Sequence, residues 1–130
     1  MQYSATNIAE GGLDVGDKTL MRTMLLDFYG ELLTQKQRNC FNMHYNEDLS
    51  LAEIAEVLDI SRQGARDLIV RAEATLTETE EKIGLVKRFS EQQLVLDKME
   101  TELNELLALT EGKASENVKK LLTELDSIRD

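Results

Sequence analysis

The stretch Ser50–Glu73, SLAEIAEVLDISRQGARDLIVRAE, decides the fold. Ser50 followed three residues later by Glu53 is a capping box, in which each side chain satisfies a free backbone donor of the other at a helix start. Leu51, Ile54, Ala55 and Leu58 then recur at helical spacing, and Ser61 is placed to cap a second helix carrying Ala65, Leu68, Ile69 and Ala72. Only about three residues separate the two helices, the arrangement of a helix-turn-helix. The fixed crossing needs a small residue at the close approach, supplied by Ala55, and a wedge of apolar contacts, supplied by Ile54, Ile60, Ala65 and Leu68. Asp59 occupies the turn, where a left-handed backbone is required; Asp tolerates that conformation better than most residues.

Burying that apolar face leaves Ser61, Arg62, Gln63, Arg66, Asp67 and Arg71 on the outer side of the second helix. Arginine pairs with guanine through two hydrogen bonds and glutamine pairs with adenine, while Arg71, farther along, suits a phosphate. Ser61 and the free amides of the helix start add a further phosphate contact. The expected nucleic-acid-binding set is therefore Ser61, Arg62, Gln63, Arg66 and Arg71.

Working outward, Lys18 to about Leu33 carries an amphipathic stripe at 20, 21, 24, 25, 28, 29 and 32, with Asp17 placed as its cap. Thr34 and Gln37 form another capping box, opening a helix that buries Cys40, Phe41 and Tyr45 and ends near Asn46. The helix begun at Ser61 keeps its stripe through Leu76 and Ile83 to the vicinity of Gly84. Ser90 with Gln93 repeats the capping pattern and predicts a new helix start there. Beyond it, Leu96, Met99, Leu103 and Leu106 are spaced 3, 4, 3, a coiled-coil seam. A turn around Gly112 precedes a last stripe of Val118, Leu121, Leu122, Leu125 and Ile128. The expected organisation is a tail over 1–16, a helix-turn-helix domain over 17–88 and a helical hairpin over 89–130, with the 96–106 seam as oligomerisation element of a homodimer.

Composition agrees with an all-α chain. Proline is absent, aromatics are 5% and helix formers dominate, while 42% hydrophobic residues suffice for a core. The single Cys40 rules out an intramolecular disulfide and fits a reducing compartment. The amino-terminal residues have neither a basic start nor an apolar run, and no stretch approaches the roughly 20 apolar residues of a spanning helix. A cytoplasmic protein without membrane insertion is expected.

No catalytic residue, metal site, cofactor or small-molecule substrate is expected either. Cys40 and His44 stand four apart, but His44 is the only histidine, so a nucleophile would lack its orienting group and zinc its other ligands. Core packing is the expectation for both. The acids Glu80, Glu81, Glu100, Glu102 and Glu105 read as solvated faces, since no ligand loop accompanies them. Charge also bears on the helix-turn-helix. The whole chain is −10, and Thr34 to Leu76 holds five cations against seven anions. Only Arg62, Arg66 and Arg71, with Lys36 and Arg38, are available for a positive patch, so one copy alone should bind a polyphosphate weakly.

Leu33 to Glu73 resembles region four of bacterial sigma factors, a three-helical core of winged-helix type without the wing. From Lys18 to Leu85, through LLDFYGELLTQKQRNCFNMHY, the helix-turn-helix and EEKIGL, the chain is similar to the YlxM-type bacterial proteins. That resemblance implies a regulatory protein of the signal recognition particle pathway, with particle components and DNA or RNA as partners. Two other readings stay open: a dimeric DNA-binding transcriptional regulator, and a non-catalytic helical adaptor.

Overall fold

In a computed structural model of the chain, residues 18–129 are described; the expected tail and the Asp17 cap lie outside them. The described residues form six α-helices and one short 3-10 turn joined by short connections, with no strand among them. The fold is all-α. Contacts divide it into two compact units, one within Val15–Val86 and one whose described part is 87–129.

In the first unit, α1 spans Lys18–Tyr29 and is followed by the 3-10 turn Gly30–Leu32. The sequence stripe carries the helix to Leu33, but the α-helix stops four residues earlier. The Gly30 carbonyl is engaged elsewhere: Arg38 donates to it from Nε at 3.1 Å and from Nη2 at 2.8 Å, and the Leu33 amide from 3.1 Å. Glycine at that point also weakens the helix. Leu33 then turns to extended backbone and leads into the Thr34 cap.

Thr34 and Gln37 make the expected capping box at the start of α2, Gln35–Tyr45, and Ser50 and Glu53 make the one that opens α3, Leu51–Leu58. Asp59 ends α3 in the left-handed conformation, φ 54° and ψ 50°, with its amide and that of Ile60 returned to carbonyls of α3. Ser61 caps α4, Arg62–Ile83, which Gly84 closes at φ 69°. Helix α4 is the hub of the unit and packs against α1, α2 and α3.

The core follows from that packing. Cys40, Ile54, Ala65 and Ile69 are buried together, lined by Met43, Leu49, Leu51, Leu58, Ile60 and Leu68. Ala65 and Ala72 are fully buried where α4 meets its neighbours, so a larger side chain at either would force the helices apart. Cys40 packs as a small apolar residue and donates from Sγ to the Ala65 carbonyl at 3.4 Å. His44 donates from Nδ1 to the Leu49 carbonyl at 3.0 Å. Tyr45, expected in the core, is only half-buried: Arg22 lies 4.1 Å from its ring centroid and its hydroxyl donates to Glu73, which also pairs with Arg22 at 3.4 Å.

The next helix departs from the sequence reading. Helix α5 begins at Leu85, directly after Gly84, and runs unbroken to Leu109. Ser90 and Gln93 therefore lie inside it, both buried, and start no helix. The start needs no local cap because remote side chains supply one. The Leu85 amide donates to the Tyr29 hydroxyl at 3.1 Å and the Val86 amide to Glu80 Oε1 at 3.0 Å. Glu80, expected to be solvated, is a capping group.

The second unit contains the bulk of α5, a turn with Gly112 at φ 67°, and α6, Lys113–Arg129. Val118 and Leu125 are buried and Leu122 is half-buried, whereas Leu121 and Ile128 stay exposed. Arg129 reaches across to Asp97 and to Glu100, the latter at 2.9 Å, and ties the end of α6 to the middle of α5.

Candidate nucleic-acid interface

Helix α4 starts where the Ser61 hydroxyl accepts the Gly64 amide at 2.9 Å. A Cβ at Gly64 would approach that hydroxyl to 3.1 Å, so glycine keeps room for the cap. Ser61 retains its own O–H as a donor. Arg62, Gln63, Arg66, Asp67 and Arg71 are all exposed.

At about 100° per residue, Arg62 and Arg66 lie roughly 40° apart on adjacent turns, and Val70 continues the strip one turn on. Arg71 sits about 140° round from Arg66 and does not share that strip. None of the three arginines has an ion-pair partner among the described residues. Gln63 donates its amide to Asp67 at 2.9 Å, so these two act as one unit beside the arginines.

Of the other cations assigned to the patch, Lys36 is exposed on α2, but Arg38 is not free. Its guanidinium holds the Gly30 carbonyl. Glu56 and Asp59 line the same notch as Arg62, together with Ala52, Ala55 and Ile60, and lower the positive potential there. Val70, exposed at 54%, extends the strip, and its place four residues after Arg66 marks it in the sequence.

On the hairpin, Met99, Leu103 and Leu106 come together with Leu121, Leu125 and Ile128 in an apolar groove of about 550 Å³, rimmed by Glu102 and Glu124. Leu96 does not join them. It lines a neighbouring groove with Phe89, Val95 and Ile128. Among the described residues no group of three or more His, Cys, Asp or Glu side chains could hold a metal, and no helix is long and apolar enough to cross a membrane.

A short α3, a left-handed turn at Asp59 and an exposed, capped α4, all seated on α2, define a helix-turn-helix protein. The chain belongs to the UPF0122 family, described as "Putative helix-turn-helix protein, YlxM / p13 like", whose pattern matches residues 16–120. It is similar to the UPF0122 protein of Thermoanaerobacter sp. (strain X514), with 57% identity over 83 residues, covering 64% of this chain and 71% of that relative. It is also similar to the UPF0122 proteins of Halalkalibacterium halodurans, 41% identical, and Bacillus cereus (strain AH187), 40% identical, each over 112 residues that cover 86% of this chain and 97% of the relative.

Proposed function

We propose that the chain is a cytoplasmic, non-catalytic regulator that binds duplex DNA through α4 and does so as a homodimer. The observation that carries this reading is the exposed Arg62–Arg66 strip at the capped end of α4, with both guanidinium groups unpaired among the described residues. The major groove of B-form DNA admits such a helix, whereas that of A-form RNA is too deep and narrow for its side chains. Ser61 and the first amides of α4 meet a phosphate, and Arg71, on the other flank, meets the backbone.

Pairing is supported by the hairpin. Met99, Leu106, Leu121 and Ile128 are 44%, 46%, 48% and 65% exposed around one groove. Among the described residues of the hairpin unit, α5 and α6 alone line this groove. A second copy placed groove to groove makes a four-helix bundle and carries a second α4 to the same duplex, which offsets the weakness of one net-negative head. The test is to cross-link the protein in its native host, recover it and sequence the bound fragments beside an Arg66→Ala strain. Enrichment of discrete duplex sites that the variant loses supports the reading; identical recovery from both strains refutes it.

A protein partner in the signal recognition particle pathway is the second reading. It is favoured by the formal charge of −10, which suits a basic protein surface better than a polyanion. Pull-down of the purified chain with the particle's protein and RNA tests it, and recovery of neither removes it.

A further inference from the structure

Resting on the duplex-DNA reading, we infer that α4 selects a guanine·cytosine pair, with Arg66 reading the guanine and Asp67 the cytosine. The inference starts from the Gln63 amide, which donates to Asp67 Oδ1 at 2.9 Å. A glutamine reads adenine by offering a donor and an acceptor together. Here one donor of Gln63 is spent within the helix, and what the Gln63–Asp67 unit presents outward is dominated by acceptors: the Gln63 carbonyl oxygen and the second carboxylate oxygen of Asp67.

Beside this unit run Arg62 and Arg66, which are donors only. Two chemically opposite strips therefore lie side by side, each about one helical turn long. An anionic acceptor in the major groove is repelled by phosphates, by guanine N7 and O6 and by thymine O4. It is matched only by an exocyclic amino group, and carboxylates take the cytosine N4 donor. Arginine matches the two acceptors of guanine. A single guanine·cytosine pair shows both patterns on one edge, and residues 66 and 67 are adjacent in the helix. Thymine in place of cytosine sets its O4 acceptor against the Asp67 carboxylate.

The experiment passes a randomised duplex pool over the full chain at low salt and sequences what is retained, for the wild type, Asp67→Asn and Arg66→Ala. Asp67→Asn keeps an oxygen to accept from Gln63 and sits on an exposed position, so the helix is preserved. The wild type is expected to enrich an oriented guanine·cytosine pair at one position, and Asp67→Asn to lower the preference for cytosine over thymine there by about fivefold or more. Overall retention should rise in Asp67→Asn, because a negative charge has gone. Arg66→Ala should lose the guanine preference. If duplexes are retained but no such pair is enriched, or Asp67→Asn leaves the preference unchanged, the inference is overturned while the DNA-binding reading stands. If no duplex is retained at all, both fail.

Discussion

The Tyr29 hydroxyl donates to Glu80 Oε1 at 2.6 Å and accepts the Leu85 amide at 3.1 Å, so one buried phenol from α1 closes the junction between α4 and α5. Glu80 takes the next amide, Val86, and places its carboxylate at the positive end of the α5 dipole. Tyr29→Phe removes the shared hydroxyl, leaving a partly buried amide without its acceptor. The expected cost is about 1–3 kcal/mol, read from urea unfolding followed by circular dichroism. An unchanged midpoint would show that the junction does not depend on this contact.

Alkaline pH should destabilise the protein, and the same phenol contributes. Burial, and next the hydrogen bond to Glu80, push the Tyr29 pKa up; burial, and next the Glu73 charge, do so for Tyr45; burial alone raises Cys40. A raised folded pKa means that the native state holds its proton longer than the unfolded chain does. Stability is then fully present below the ordinary pKa values and is lost as pH rises from about 9 for the thiol and about 10 for the phenols toward the folded values. Unfolding midpoints measured from pH 7 upward should fall over that window, and Tyr29→Phe should make the fall shallower. A flat profile in the wild type would contradict this.

Asp59 carries a left-handed backbone without a glycine's freedom, and it lines the same notch as Arg62. Asp59→Gly should raise stability by about 0.5–1 kcal/mol in thermal melts, whereas Asp59→Val should lower it by about 1–2 kcal/mol. The glycine variant should also bind duplex DNA more tightly, since one anion beside the arginines is gone. A glycine variant less stable than the wild type would show that the Asp side chain holds the turn through contacts of its own.

Leu106 is a groove residue that can change without disturbing a core, because it is already half exposed. Leu106→Glu places a second charge beside Glu102 in the apolar groove. Light scattering should give the mass of two chains for the wild type and of one for the variant, with unchanged helicity and weaker DNA binding. A variant that still runs as two chains would place the interface elsewhere.

The sequence made some of this visible and hid the rest for a physical reason. Thr34–Gln37, Ser50–Glu53, the Asp59 turn and the Gly84 stop act within a few residues of themselves, so α2, α3 and α4 could be bounded from local pattern alone. The start of α5 could not. Its caps come from Glu80, six residues before the Val86 amide it accepts, and from Tyr29, 56 residues before the Leu85 amide, while Ser90 and Gln93 imitate a capping box inside a helix. Likewise, nothing local to Arg38 shows that it holds the Gly30 carbonyl rather than joining a basic patch. The split of Arg71 from Arg62 and Arg66 was legible in helical periodicity, as was Val70.

The affinity lost when the strip is removed measures the central claim, that Arg62 and Arg66 on α4 are the DNA-binding strip, most directly. Fluorescence anisotropy with a labelled duplex gives the dissociation constant over a range of salt for the wild type, Arg66→Ala, Arg62→Ala/Arg66→Ala and Arg71→Ala. Binding should be strongest at low salt, and Arg66→Ala should weaken it by about 1–3 kcal/mol. The slope of log affinity against log salt should shrink by up to about 0.9 in Arg71→Ala, which loses a phosphate contact, and stay near the wild-type value in the Arg62 and Arg66 variants, which lose base contacts. Wild-type affinity reproduced in the double variant, or no wild-type binding at the lowest salt, would contradict the account.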